Sequence, residues 1–399
     1  MAKNIVFCAD GTWNGPGSTD ADHTNVVTTN VFKLFLNLAG KDAPDSILLA
    51  KEQERVLTAD DGTVSQAAKY IHGVGDSDNY LVKLLGGSVG AGVITRIVRG
   101  YTFISRNYAP GDRIYIVGFS RGAYTARALG GMIAAQGLLD AKLHLANRER
   151  AYLLGTAAWY AYRRAALAAN SDWLGKLEEI AMELPGLVTK LPVDAFVPVP
   201  IAAIAVWDTV GALGIPDYLR HTQHIDSFKF ADTKLSPKVA HGVHAVAIDE
   251  QRLDFVPTLW DPEPRIVQAL FPGAHADVGG GYPTTNGESG LSDRTLAWMT
   301  KRLADLGVLF SASPAIVPKP DAGGCAHQPW TKMPWTALPR KERFFPSGLS
   351  LAQSVLDRLA AASVLADPGL LPAGPYVPAN LANYLTDRKA TPGIAVLPD

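Results

Sequence analysis

Short apolar runs and amphipathic stretches alternate along the first three hundred residues. Apolar, often β-branched runs at Asn4–Asp10, Ala67–Gly73, Arg113–Gly118, Ile201–Asp208, Val243–Asp249 and Ile266–Phe271 predict buried strands. Apolar residues at helical spacing predict helices over Val31–Leu38, Gly90–Tyr108, Ala123–Gln136 and Asp293–Leu306. Strands alternating with helices predict the α/β class: a doubly wound, mostly parallel sheet with helices on both faces. Most of these strands end in reactive side chains: Asp10-Gly11-Thr12, His72 to Gly75, Ser120, Asp208-Thr209, Asp249-Glu250 and His275. Ligands of open α/β sheets bind beyond the carboxyl ends of strands, so these clusters are expected at one rim.

Two regions interrupt the alternation. Within residues 138–200, Trp173, Leu174, Leu177, Ile180, Ala181 and Leu184 recur at helical spacing behind a capping Ser171. This helical insertion reads either as a helical pair packed on the core or as a lid or membrane-facing cap. Residues 314–346 read as an irregular surface excursion, Leu349–Leu359 as a helix, and 372–399 as a proline-rich tail. The expected organisation is one domain over 1–399, with the insertion at 138–200 and a C-terminal extension at 314–399 packed on the core.

Composition narrows the function. A net charge of −1 over 399 residues offers no basic field for phosphate backbones, which sets nucleic acid aside. Charged residues make up only 19%, which leaves room for apolar surface of use with lipid. Cys8 and Cys325 form neither a disulfide framework nor a C-x-x-C site. The N-terminus lacks the pattern of a secretory signal, and no apolar run reaches the length of a membrane span. The expectation is a chain that is cytoplasmic as synthesised, with any export by a signal-independent route.

The chemistry centres on Gly118-Phe119-Ser120-Arg121-Gly122, a G-x-S-x-G elbow between a predicted strand and a predicted helix. A serine nucleophile needs a base and an orienting acid, here expected in the chain order Ser, acid, His. Asp208 ends an apolar strand and is the leading acid; turn amides at Thr209–Gly211 are an alternative use for it. Asp249 and Asp254 compete, although an ion pair with Arg252 accounts for both. His275, entering a glycine-rich loop after the last strand, is the expected base; Asp277 is read as tying down amides of the Gly279–Gly281 turn, with orienting the base as the alternative. The expected oxyanion donors are the amides of Arg121 and of Gly11 or Thr12. Asp10, Trp13, His72, Phe119, Tyr124 and Trp207 are expected to line the substrate pocket. His221, His224, His241 and His244 lack a convincing metal geometry, since residues three apart on a strand face opposite ways. His23, His144 and His327 read as solvent-facing. No metal and no cofactor is expected.

Taken together, Val6–Asn14 (VFCADGTWN), Thr24–Val26, His72–Gly75, Gly118–Tyr124 (GFSRGAY), Ala126–Ala128, Val206–Val210 (VWDTV), Ile248–Glu250 with Arg252, and Phe271–Tyr282 (FPGAHADVGGGY) resemble a known family. It is the α/β-hydrolase family that contains the catalytic domains of type VI secretion phospholipase effectors, and the resemblance spans about residues 5–306. It implies a Ser–Asp–His triad at Ser120, Asp208 and His275 that hydrolyses carboxylic esters through an acyl-enzyme, in some members the acyl esters of glycerophospholipids. The implied partners are a small-molecule or lipid ester and a transient membrane surface. The alternatives are a soluble carboxylesterase, or a non-catalytic binding module on the same fold.

Overall fold

A computed structural model describes residues 2–11, 27–43, 52–73, 89–143, 145–167, 189–211, 233–333, 335–337, 339–367 and 374–399. The fold is built on parallel strands β1 (Asn4–Ala9), β4 (Val64–Ile71), β5 (Arg113–Phe119), β8 (Ile201–Trp207), β9 (Val239–Ala247) and β10 (Ile266–Phe271). Two further parallel strands, β11 (Ser350–Ala352) and β14 (Val396–Leu397), extend one side. The antiparallel β3 (Glu52–Thr58) and β2 (Lys41–Asp42) extend the other. The ten-stranded order is β14-β11-β10-β9-β8-β5-β1-β4-β3-β2, and two small antiparallel pairs stand apart from it, β6 (Leu138–Leu139) with β7 (Phe196–Val197) and β12 (Leu385–Thr386) with β13 (Lys389–Ala390).

Burial explains the sequence pattern. The strand β1 is covered on both faces, and every one of its residues is buried. One face carries α1 (Asn30–Asn37), α6 (Gly290–Asp305) and α7 (Gln353–Ala360) over Val6, Cys8, Tyr115 and Val117. The other carries α2 (Val89–Asn107), α3 (Arg121–Gln136) and α4 (Arg148–Leu167) over Ile5, Phe7, Ile114 and Ile116. A buried Lys33–Asp293 ion pair at 2.8 Å ties α1 to α6. The helix α4 packs Leu154, Ala158 and Trp159 into the second core, so this part of the 138–200 insertion is core-packed. The predicted helix behind Ser171 lies outside the described residues.

Several elements depart from expectation. Val64–Ile71 starts earlier than the predicted strand, and its neighbour β3 has no counterpart in the predicted pattern. The charged positions of β3 break its apolar pattern, yet they pair across the ladder: Lys69 meets Glu52 at 2.9 Å and Glu54 at 3.1 Å. Leu349–Leu359 is not one helix, because Ser350–Ala352 joins the sheet beside β10 before α7 begins. The proline-rich tail supplies β14. The excursion at 314–346 is not a surface feature throughout, since Cys325, His327, Trp330, Arg343 and Phe345 are buried.

The winding sets the position of the site. From β1 the chain moves one way to β4, then returns across β1 to β5 and continues to β8, β9 and β10. The carboxyl ends of β1 and β5 therefore flank the switch point, where open sheets place their crevices. Here Gly118 and Gly122 allow strand and helix to approach closely. A Cβ on Gly122 would lie 2.2 Å from the Ala9 carbonyl oxygen, and one on Gly118 would lie 2.4 Å from that of Gly122. Gly122→Ala is expected to destabilise the fold by about 1–3 kcal/mol through overpacking against backbone. The urea midpoint measures it, and an unchanged midpoint would contradict so tight an approach.

Candidate active site

Ser120 sits between β5 and α3 with φ 58° and ψ −125°. A non-glycine residue there is strained by about 1–3 kcal/mol and persists only when its surroundings impose it. The surroundings do so: the Ser120 amide donates to the Trp207 carbonyl at 3.2 Å, and the Tyr124 amide donates to the Ser120 carbonyl at 3.2 Å. Arg121 opens α3, so its amide holds the first helical position.

Asp208 follows β8, the neighbour of β5, and is fully buried with φ 35°. Its Oδ2 meets His275 Nδ1 at 2.5 Å. Its Oδ1 accepts from the Ala247 amide at 2.9 Å. Arg343 grips both oxygens, Nη1 to Oδ1 at 2.7 Å and Nη2 to Oδ2 at 2.9 Å. Burial alone would raise the Asp208 pKa, but the charge of Arg343 and the bonds from His275 overcome it and hold the carboxyl well below the usual range. The turn amides do not satisfy Asp208: the Thr209 amide donates instead to His244 Nε2 at 3.1 Å. Burial and the charge of Arg127 push the His244 pKa down to about 3, so it serves as a neutral acceptor.

His275 opens the short helix α5 (His275–Gly279) beyond β10. Its ring lies 4.5 Å from that of Phe119, the residue before Ser120, and 5.0 Å from that of Phe255, centroid to centroid. Its amide donates to Glu250 Oε2 at 3.2 Å. Burial lowers the His275 pKa and outweighs the stabilising pull of Asp208. Among the described residues the Ser120 hydroxyl makes no hydrogen bond to His275. Such contacts commonly tighten only once substrate is bound.

The remaining expected residues divide. Asp10 is buried, and it accepts from Tyr70 Oη at 2.6 Å and Thr29 Oγ1 at 2.8 Å. Burial, against those bonds, pushes its pKa up to about 6. The Gly11 amide, expected as an oxyanion donor, donates to Asp10 Oδ1 at 2.7 Å, because a carboxylate is the nearer and stronger acceptor. Thr12 and Trp13 lie outside the described residues, as do His23, His144, His221 and His224. The His72 ring nitrogen Nε2 faces Arg96 at 3.2 Å. Phe119, Tyr124 and Trp207 are core side chains. A cavity of about 430 Å³ opens beside the site, lined by Glu250, Gln251, His327, Trp330 and Tyr376 among others. Of the described pocket residues expected from the sequence, Asp10, His72, Phe119, Tyr124 and Trp207, none lines it. Among the described residues no cluster of side chains is suited to hold a metal ion.

Arg252 pairs with Glu250, Nη2 to Oε2 at 2.8 Å, and not with Asp249 as expected. Asp249 instead accepts from the Gly273 amide at 2.6 Å and from Tyr376 Oη at 3.0 Å. Asp277 binds the Ala274 amide at 2.8 Å rather than the glycine turn. Its other partner is His327, met at 2.6 Å. His327 is therefore not solvent-facing: it is buried and stacked on the Tyr282 ring at 3.4 Å. Sequence reasoning also missed Arg343, whose run Arg340-Lys341-Glu342-Arg343 reads as a solvated charged stretch. Its one signal is the Phe344-Phe345 pair that follows, of which Phe345 is buried.

The model of the type VI secretion Tle1-like phospholipase effector catalytic domain matches residues 3–302. The chain belongs to this family. With the sheet order and elbow described above, its architecture is that of an α/β-hydrolase-like fold. The uncharacterized protein YEL023C of Saccharomyces cerevisiae is 27% identical over 264 residues, which cover 66% of this chain and 33% of the yeast protein. An uncharacterized Pseudomonas aeruginosa protein of known structure is 18% identical, with 78% of this chain and 47% of that one covered and a TM-score of 0.41. The Tle1 effector bound to the VgrG spike is 17% identical, covering 71% of this chain and 51% of that one, at a TM-score of 0.36. The chain thus spans a third to a half of the length of these three proteins. A Thermogutta terrifontis esterase, Est2, is 12% identical, covering 78% and 86%, at a TM-score of 0.32.

The His327–Asp277 pair gives the fold a pH dependence. Burial opposes the charged imidazole, but Asp277 prevails and pushes the His327 pKa up to about 10. A raised pKa adds stability that is fully present below the unfolded value of about 6.5 and is lost as pH rises through the folded value. Between pH 7 and pH 10.5 the wild-type melting temperature is expected to fall, and that of His327→Gln to fall distinctly less. Parallel curves would contradict this role.

Proposed function

We propose that the protein is a serine hydrolase of carboxylic esters, with Ser120 as nucleophile, His275 as general base and Asp208 as the orienting acid. The observation that carries this reading is the buried Asp208–His275 contact, at 2.5 Å, with the imidazole packed on the residue that precedes a strained serine. Ser120 Oγ attacks the acyl carbon while its proton passes to His275 Nε2. The ester C–O bond then breaks, and the same proton leaves with the alcohol. Water, deprotonated by His275, attacks the acyl-enzyme; the bond from Ser120 Oγ to the acyl carbon breaks, the acid leaves, and His275 returns the proton to Ser120. Asp208 fixes the tautomer with Nε2 facing the serine and stabilises the imidazolium. The Arg121 amide is one oxyanion donor, and Thr12 becomes the leading second donor because Gly11 is engaged by Asp10.

Family membership supports a phospholipid acyl ester as the substrate class. A low imidazole pKa also suits a base that must be neutral to act.

A fluorophosphonate probe is expected to label wild type and not Ser120→Ala, whose kcat falls by about 10⁴–10⁶-fold. Equal labelling of both would defeat the assignment. The acid limb of kcat/KM is expected below the ordinary imidazole value of 6.5, with activity rising as His275 loses its proton. For the substrate class, turnover of a phospholipid is expected to exceed that of short soluble esters and to rise when the lipid is presented in micelles. The reverse order would favour a soluble carboxylesterase.

A further inference from the structure

The segment around Arg343 lies beyond residues 3–302, which the family model matches, yet it reaches into the centre of the site. Besides Asp208, the Arg343 guanidinium donates to the Ala247 carbonyl at 2.7 Å and the Phe255 carbonyl at 2.5 Å. Arg343 therefore joins the ends of β8 and β9 and the loop that carries Phe255. The two carbonyls fix the plane of the guanidinium, and the plane fixes the carboxylate. Asp208 Oδ2 is shared between Arg343 and His275.

We propose that Arg343 is a positioning residue of the ester-cleaving site: it locks the Asp208 carboxylate in the rotamer that receives His275 Nδ1 and supplies the counter-charge for that buried anion. The proposal rests on the Ser120, His275 and Asp208 reading above and extends the site into the C-terminal segment.

The charges around the pair isolate the effect of Arg343. Glu250 and Arg252, from the loop after β9, face His275 but are bidentately paired with each other. His244, from β9, is a neutral acceptor beside Asp208. Asp277, on the His275 helix, is taken by His327. From β5, Phe119 presents only an uncharged ring. Among the described residues Arg343 is the cation in direct contact with Asp208, and a guanidinium cannot discharge at accessible pH. Without it the buried carboxylate keeps its charge with no cation beside it, and the His275–Asp208 pair takes up a proton at higher pH. Lysine retains the charge but loses the planar fork that grips both oxygens.

The test combines pH profiles of ester turnover with an NMR titration of His275 in the Ser120→Ala background. Arg343→Gln is expected to lower kcat by about 10–100-fold and to move the acid limb and the His275 titration up by about one unit or more. Arg343→Lys is expected to lower kcat while leaving both pH midpoints within a few tenths of wild type. A merely structural arginine would lower the melting temperature of both variants and move neither midpoint, which overturns the proposal. If Arg343→Gln does not fold, Arg343→Lys decides: an unchanged kcat overturns the proposal, and a lowered kcat with both pH midpoints kept supports it. The outcomes separate from failure of the hydrolase reading itself. His275→Ala with full turnover removes that reading, whereas the NMR titration reports on Arg343 without any catalysis.

Discussion

A carboxylate that never meets water organises this protein. Asp208 is fully buried at the end of an apolar strand, where an isolated anion is not tolerated. It is held by one guanidinium, one imidazole and one backbone amide drawn from three distant parts of the chain. Breaking such a buried cluster by removing one partner costs about 3–5 kcal/mol, because the charge that remains is uncompensated. The cluster is therefore a fold constraint as much as a chemical one. The strand ends, the turn bearing His275 and the segment bearing Arg343 must all be in place together.

The sheet topology makes that meeting possible. Neighbouring parallel strands β5 and β8 deliver Ser120 and Asp208 to the same rim, and β10 delivers His275 two strands further on. Tight approach at Gly118 and Gly122 holds α3 against β1, so the serine turn is squeezed between rigid elements. Strain at Ser120 is thus supported by this close approach and by the backbone hydrogen bonds of Ser120 to Trp207 and Tyr124. The inner ring of Phe119 and Phe255 then excludes water from the imidazole, which is the physical source of its lowered pKa.

The strands nearest the site were legible because a strand buried on both faces must be apolar throughout, and its polar end then stands out. Ser120, Asp208 and His275 each follow such a run. Their approach in space had no signature in any one segment; it follows from the strand order. Arg343 was illegible for a different reason. Its surroundings have no helical or alternating period, and a guanidinium buried by contacts more than eighty residues away looks the same in sequence as one in solvent. His327 was misjudged on the same grounds, since its partner Asp277 is fifty residues away. The hairpin edge was hidden by charge: Glu52 and Glu54 look like solvated loop residues until the ladder pairs them with Lys69. At Gly11 the motif gave no sign that the immediate neighbour Asp10 captures the amide.

The borders of the sheet carry a last implication. The outermost strands, β2 and β14, are only two residues long each. At the β14 margin a foreign strand would find almost no ladder to copy, and at the other margin β3 presents the charged Glu52, Glu54 and Arg55 beside the two residues of β2. Self-association by sheet extension is thereby discouraged, and the long apolar interior stays shielded from neighbouring molecules for as long as those two brief strands keep their places.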